Sequence, residues 1–209
     1  MKPEILARIR ALGGTTDGVR GRSLADDLQA IHFSSVLYPR PTDTPWAEAA
    51  ATEPIAGLEA WVAAHRSLLA HDRAAFDQQL VAHFYQLTPE PRGQAFFVGR
   101  LFTPFRPGTP DFTEWYADFT DPDLVDLGPV RAVAANPAPD FVHLASSSGY
   151  PDNFYVCLAD PAPDDPTVFG TDHETFFQEI TNEGALSAFF QRYLTPAELL
   201  ALVHQQLAS

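Results

Sequence analysis

One short run of side chains, Asp172-His173-Glu174, carries the residue types that hold a metal ion or transfer a proton. Adjacent residues of a helix point about 100° apart, so these three side chains would seldom share one ion there. We therefore predict a structural use, in which Asp172 caps the start of a helix and Glu174 complements the helix dipole. The alternative is a metal-dependent hydrolase that uses Asp172, His173 and Glu174.

Sequence motifs for other chemistry are absent. The seven histidines do not follow a metal-ligand spacing, and Cys157, the single cysteine, stands in an apolar string typical of a core residue. Lys2 is the single lysine, and the glycine-rich run 13–21 lacks the Lys-Ser/Thr ending of a phosphate-binding loop. Residues 146–149 do not match a nucleophile elbow. We predict that the chain is not an enzyme and takes no metal or cofactor.

The negative charge of the chain is concentrated in one segment. The formal net charge is −14, and residues 111–183 hold 15 acidic side chains against one basic side chain, Arg131. A segment of this kind produces a negative field that attracts basic partners and repels nucleic acid. We expect a basic protein as the partner, with no nucleic acid.

The chain shows no sign of export or membrane insertion. No apolar run approaches the roughly 20 residues needed to cross a bilayer, and Glu4, Arg8 and Arg10 interrupt the region where a signal peptide is apolar. With one cysteine, no intrachain disulfide can form. These observations predict a cytoplasmic location without membrane contact.

Hydrophobic periodicity and turn residues predict an α+β protein with a central antiparallel sheet flanked by N-terminal and C-terminal helices. Thr195-Pro196 with Glu198 has the form of a capping box, which predicts where the last helix begins. Residues 24–38 suit both a helix and a strand, and residues 55–87 suit either one long helix or two helices, with the break then expected near His71-Asp72. We predict a single domain over 1–209, with helices at 3–12, 55–87, 173–193 and 196–207 and strands at 94–102, 113–119, 130–134, 141–144, 154–158 and 167–169.

Residues 141–194 resemble the C-terminal half of the SMI1/KNR4, or SUKH, superfamily. The resemblance rests on Phe141-Val142-His143-Leu144, on the run from Phe154 to Asp160, on Val168-Phe169, on Asp172-His173-Glu174, and on Leu186, Phe189, Phe190 and Leu194. It implies an SMI1/KNR4-like domain, which many bacteria use as an immunity protein that blocks a toxin. Fungal members are regulatory scaffolds, so a scaffold without a toxin partner is a second implied role.

Taken with the charge, the resemblance predicts an immunity-type protein that binds a basic toxin domain such as a nuclease. Acidic side chains and aromatic anchors are the groups expected at such an interface. We expect the contacts to come from Trp115, Tyr116, Asp118, Asp121, Asp123, Tyr150, Asp152, Asp164 and Asp165. Because Asp164 and Asp165 lie in a proline-rich stretch, we expect both to be exposed. Neutralising them together should slow association without unfolding the protein.

Overall fold

The computed structural model describes residues 1–41, 55–87 and 93–208. The helices of these residues are α1 Pro3–Ala11, α2 Leu24–Gln29, α3 Leu58–Ala64, α4 Arg66–His71, α5 Arg73–Phe84, α6 Pro110–Thr120, α7 Gly128–Arg131, α8 Leu186–Gln191 and α9 Pro196–Leu207. The strands are β1 Gly14–Thr15, β2 His32–Phe33, β3 Tyr38–Pro39, β4 Ala95–Phe102, β5 Phe141–Ser147, β6 Asn153–Cys157, β7 Thr167–Thr171, β8 Thr181–Ala185 and β9 Tyr193–Leu194. The fold is α+β, as predicted.

The centre of the molecule is a five-stranded antiparallel sheet in the order β4-β5-β6-β7-β8. Each strand pairs with the next one along the chain, and the short connections between β5, β6, β7 and β8 are compatible only with antiparallel pairing. The expected strands at 94–102, 141–144, 154–158 and 167–169 are confirmed as β4 to β7. Two small two-stranded pairs, β1 with β2 and β3 with β9, lie outside this sheet.

Both faces of the sheet are covered, which explains why β6 is buried at four successive positions. On one face Val142, Phe154 and Val156 pack with Ile9 of α1 and Phe189 of α8. The other face packs against α6, α7 and the chain after β7, through a cluster that contains Phe102, Phe119, Phe141, Tyr155, Phe169 and Phe177. A third core joins α3 and α5 to α9.

The N-terminal and C-terminal helices meet. The Arg8 side chain on α1 donates two hydrogen bonds to the Glu198 carboxylate on α9, at 3.1 and 2.9 Å. The predicted capping box is confirmed, since Thr195 Oγ1 accepts from the Glu198 amide and the Glu198 carboxylate accepts from the Thr195 amide. The break expected near His71-Asp72 separates α4 from α5, and a further break at His65 separates α3 from α4.

The N-terminal part also settles the ambiguous stretch 24–38. It holds both kinds of element, because α2 is followed by β2 and by the start of β3. The glycine-rich run 13–21 includes the strand β1. The pairing of Gly14 with Phe33 requires glycine, since a Cβ there would lie 2.7 Å from the Phe33 ring and from Ile9.

Two predicted strands are wrong. Residues 113–119 belong to helix α6, because Thr109 Oγ1 accepts from the Phe112 amide at 3.1 Å and Pro110 suits the first helical turn. Phe112, Trp115 and Phe119 follow helical spacing, although their aromatic character had favoured a strand. Residues 130–134 begin within the short helix α7 and continue into turns, so they form no strand.

The helix predicted over 173–193 is also wrong. Residues 172–180 form turns, β8 follows, and only α8 is helical. Phe177 has a φ of 53° and Gly184 a φ of 85°, so the backbone at both positions is left-handed and departs from a helix. Asp172 therefore caps no helix: its Oδ1 accepts from the Glu174 amide at 2.8 Å within a turn.

Candidate functional site

Residues 172–179, which follow β7, supply most of the side chains of the candidate site. The buried ring of Phe177 fixes the path of this segment. Phe177 is 1% exposed and packs in the aromatic core beneath the sheet. Its amide donates to Thr171 Oγ1 at 2.8 Å, and its carbonyl accepts from the Asp126 amide at 2.9 Å. These contacts direct the polar side chains on either side of Phe177 outward.

Two aspartates and one histidine meet at the start of this segment. His173 Nδ1 lies 2.6 Å from Asp152 Oδ2 and 3.7 Å from Asp172 Oδ1. One donor atom from each of the three residues lies within 4.8 Å of the others. This arrangement could hold a divalent cation, with two carboxylates and one imidazole as ligands. The hydrolase alternative had placed Glu174 with Asp172 and His173, but Glu174 is not part of this group.

The neighbours of His173 favour its charged form. The hydrogen bond to Asp152, with the Asp152 charge, raises the pKa of His173 above its ordinary value. The His173 side chain is 68% exposed, whereas that of Asp152 is 18% exposed. The pair therefore joins an exposed imidazole to a largely covered carboxylate.

A chain of hydrogen bonds continues from Asp152 into the sheet. The Asn153 side-chain amide donates to Asp152 Oδ1 at 2.5 Å, and the Ser146 hydroxyl donates to Asn153 Oδ1 at 3.1 Å. Ser146 Oγ also lies 3.0 Å from His143 Nε2. Burial lowers the pKa of His143 to about 4, so its imidazole is neutral at pH 7.

The contact between Ser146 and His143 was not foreseen from the sequence. In a regular strand, residues three positions apart point to opposite faces. The register between β5 and β6 shifts between His143 and Ala145, and this irregularity brings His143 and Ser146 to the same side. The Ser146 hydroxyl links β5 to β6 through its hydrogen bond to Asn153, which is a structural role.

Two adjoining hollows open on the surface around residues 172–179. The larger, of about 610 Å³, is lined by Tyr150, Asp152 and the turn after β7. The smaller, of about 180 Å³, lies between α6 and the same turn. Glu174 and Thr175 line both. Their walls carry the carboxylates of Asp118, Asp152, Asp172, Glu174 and Glu179, which we call the acidic face.

Two groups stand out among the carboxylates of the acidic segment. Five are ion-paired with cations from outside the segment: Asp111 with Arg100, Asp140 with Arg106, Asp164 with the N-terminal amine, Asp165 with Lys2, and Glu183 with Arg192. Within the described ranges, no lysine or arginine lies within 4 Å of a carboxylate of the acidic face. Among the described residues, His173 is the one basic side chain paired with a carboxylate of the acidic face.

The structure brings several of the expected contact residues to this face. Trp115 and Asp118 line the smaller hollow, and Tyr150 and Asp152 line the larger. The Tyr150 side chain is 64% exposed, and its hydroxyl donates to Glu179 at 3.1 Å. That hydrogen bond raises the pKa of the Tyr150 hydroxyl.

Other expected contact residues lie at its border or elsewhere. The Asp123 carbonyl accepts from the Gln178 side chain at 3.3 Å, so the turn after α6 borders the face. Asp121 belongs to the same turn, where its Oδ1 accepts from the Asp123 amide. Tyr116 is 43% exposed, but its ring packs on Phe112 of α6 and does not line either hollow.

Asp164 and Asp165 lie beside the N-terminal residues, and the expectation that both are exposed is wrong. The Asp164 side chain is 81% exposed, whereas that of Asp165 is only 11% exposed. Asp165 accepts from the amide and the hydroxyl of Ser187, both at 2.8 Å, and from Lys2 Nζ at 2.8 Å. A proline-rich stretch predicts a loop, but it does not reveal which side chain of the loop points inward.

Sequence reasoning did not assign Asp172, Glu174 and Glu179 to a binding surface, because it placed all three on a helix. Their acidity within segment 111–183 was the signal that could have assigned them to this surface.

No protein-family model, curated protein or solved structure matches the chain. Within the described parts of the chain, no helix has the length and apolar character needed to cross a membrane.

Proposed function

We propose that this chain is a protein-binding domain of the immunity type, which neutralises a toxin by covering a basic surface with the acidic face. The observation that supports it is the sorting of the carboxylates. Five carboxylates of the acidic segment are ion-paired within the chain, whereas those of the acidic face have no lysine or arginine beside them among the described residues. A surface of unpaired like charges gains most from a partner of opposite charge.

The chemistry of the acidic face favours a protein partner. A field of five neighbouring carboxylates repels phosphate groups, so a nucleic acid is a poor ligand. Trp115 and the exposed Tyr150 ring lie among the carboxylates, and aromatic anchors of this kind contribute strongly to protein interfaces. The resemblance of residues 141–194 to the SMI1/KNR4 superfamily supports a toxin as the class of partner.

The test uses the product of the gene next to that of this chain. If that product carries a toxic domain, co-expression of this chain should restore growth, and the two purified proteins should associate at a rate that falls steeply with salt. Screening is substantial at 0.1 M, where the Debye length is about 10 Å. A neighbouring gene for a metabolic enzyme, or a toxin that this chain does not neutralise, would contradict the immunity role.

A matched pair of variants separates the acidic face from net charge. Glu174→Gln with Glu179→Gln removes two charges from the face, and Asp17→Asn with Glu114→Gln removes two charges from exposed side chains that line neither hollow. We expect the first variant to slow association by on the order of tenfold at low salt, and the second to have a much smaller effect. Equal effects would show that the face has no special role.

A metal-dependent hydrolase is the second candidate, and the meeting of Asp152, Asp172 and His173 supports it. Isothermal titration of the metal-free chain with Zn²⁺ and with Mn²⁺ tests this candidate directly. Stoichiometric binding that is lost in Asp152→Asn would favour the hydrolase over the binding protein. If neither ion binds, the group serves as an ion pair that orders the face.

A further inference from the structure

The smaller hollow of the acidic face differs from the rest of the face because aromatic rings form part of its wall. Trp115 and Asp118 reach it from α6, and Phe176 and Glu174 reach it from the turn after β7. The Trp115 and Phe176 rings lie with centroids 4.6 Å apart and planes inclined by 48°. Leu124, which is 49% exposed, borders the opening. The volume of about 180 Å³ suits a single side chain and is too small for a whole helix.

This combination of groups selects the chemistry of the occupant. Aromatic faces attract a cation that comes within about 6 Å of the ring centroid. The carboxylates of Asp118 and Glu174 add charge-assisted hydrogen bonds to an N–H donor. No lysine, arginine or histidine is among the residues that line the hollow, so no cation of its own wall fills it.

Stacking on the aromatic rings and pairing with two carboxylates together match a planar guanidinium better than an ammonium.

We propose that the hollow between α6 and the turn after β7 seats one arginine side chain of the basic partner. The inference rests on the proposed binding function and makes it specific: arginine, stacked against Trp115 and paired with Asp118 and Glu174, anchors the complex. The remaining carboxylates of the acidic face then act mainly on the rate of association.

The arginine site can be tested without the partner, using the full chain labelled with ¹⁵N. The probe is Nα-acetyl-arginine methylamide, compared with the citrulline analogue, which has nearly the same shape but no charge, and with the lysine analogue. We expect millimolar binding of the arginine probe, with shifts at the Trp115 indole N–H and at the amides of residues 174–178. Citrulline should give no saturable shift, and lysine should bind at least several-fold more weakly.

Variants locate the bound group. Glu174→Gln, at an exposed side chain, should weaken the arginine probe several-fold without affecting the fold. Trp115→Leu should abolish binding, whereas Tyr116→Leu, on the next residue of α6, should leave it unchanged. Equal binding of citrulline or lysine, shifts confined to the larger hollow, or an unchanged affinity in Trp115→Leu would overturn the inference.

Failure of the arginine site is distinguishable from failure of the proposed function. If a toxic partner binds with salt-dependent kinetics that Trp115→Leu leaves unchanged, the binding function stands and the arginine anchor is wrong. If the arginine probe binds as expected but no basic protein is neutralised, the site stands and the immunity role is wrong.

Discussion

Replacing Asp165 by alanine tests a contact that joins the chain between β6 and β7 to both the N-terminus and α8. The Asp165 carboxylate accepts from the Ser187 amide in the first turn of α8, from the Ser187 hydroxyl and from Lys2 Nζ, each at 2.8 Å. A hydrogen bond to a charged group contributes about 1.5–3 kcal/mol. The pair with Lys2, whose side chain is 45% exposed, adds little because solvent screens the two charges.

We therefore expect Asp165→Ala to lower the free energy of unfolding by about 2 kcal/mol. For a chain of this length, that corresponds to a fall in Tm of about 4–8 °C. Urea unfolding followed by tryptophan fluorescence measures the change. The matched control is Asp164→Ala, one residue earlier, where the side chain is 81% exposed and the change should stay within about 0.5 kcal/mol.

Acid titration gives the same contact a second signature. Burial opposes ionisation, but the hydrogen bonds from Lys2 and Ser187 outweigh it and lower the pKa of Asp165. The stabilisation is therefore complete above the ordinary carboxyl pKa of about 4 and is lost as pH falls through the lowered value. Equal stability of Asp165→Ala and Asp164→Ala at pH 7 would refute this reasoning. If it holds, neutralising Asp164 and Asp165 together perturbs folding as well as charge, contrary to the sequence-based expectation.

Three further measurements address other parts of the chain. Glu198→Gln removes the charge that Arg8 binds but can keep the capping box of α9, because glutamine also accepts from the Thr195 amide; losing the charged hydrogen bonds should cost about 2 kcal/mol. Burial opposes ionisation of Glu198, but hydrogen bonding led by Arg8 lowers its pKa to about 2. The stabilisation by the Glu198 carboxylate should therefore be present above about pH 4.5 and be lost as pH falls through the lowered value. Acid unfolding curves that coincide for the variant and the parent protein would contradict this. The raised pKa of His173 means that its pair with Asp152 stabilises the fold below about pH 6.5, and that this stabilisation is lost as pH rises through the raised value. NMR titration should therefore show a lower His173 pKa in Asp152→Asn than in the parent protein. Cys157 is fully buried, and burial raises the pKa of its thiol, so a thiol reagent should label it only as fast as the protein unfolds; rapid labelling under native conditions would show that it is accessible.

Where local patterns and tertiary packing agree, the sequence predicted the fold. Strands β4 to β7 are short apolar runs bounded by turn residues, and α9 begins at a capping box whose two residues, Thr195 and Glu198, lie only three positions apart in the chain. Failures occurred where local signals conflict. Aromatic residues of α6 favour a strand by type, but the cap at Thr109 and the spacing of Phe112, Trp115 and Phe119 favour a helix.

The turn after β7 shows the limit of periodicity more clearly. Residues 173–193 contain apolar side chains at helical spacing, yet Phe177 is drawn into the core beneath the sheet and β8 pairs with β7. These interactions join residues that periodicity does not relate. The position of Asp172, Glu174 and Glu179 on one surface with Asp118 and Asp152 could therefore not be predicted.

The sequence by itself determined that the negative charge lies in residues 111–183, because a count of side chains does not depend on folding. Only the tertiary structure decided which of those charges are neutralised. Ion pairs such as Lys2 with Asp165 and Arg100 with Asp111 form between residues that the fold brings together, and Coulomb energy depends on distance in space. Among the carboxylates that the described structure leaves without such partners, five line the same two hollows and make the acidic face. No local pattern in the chain distinguishes these five from the paired ones.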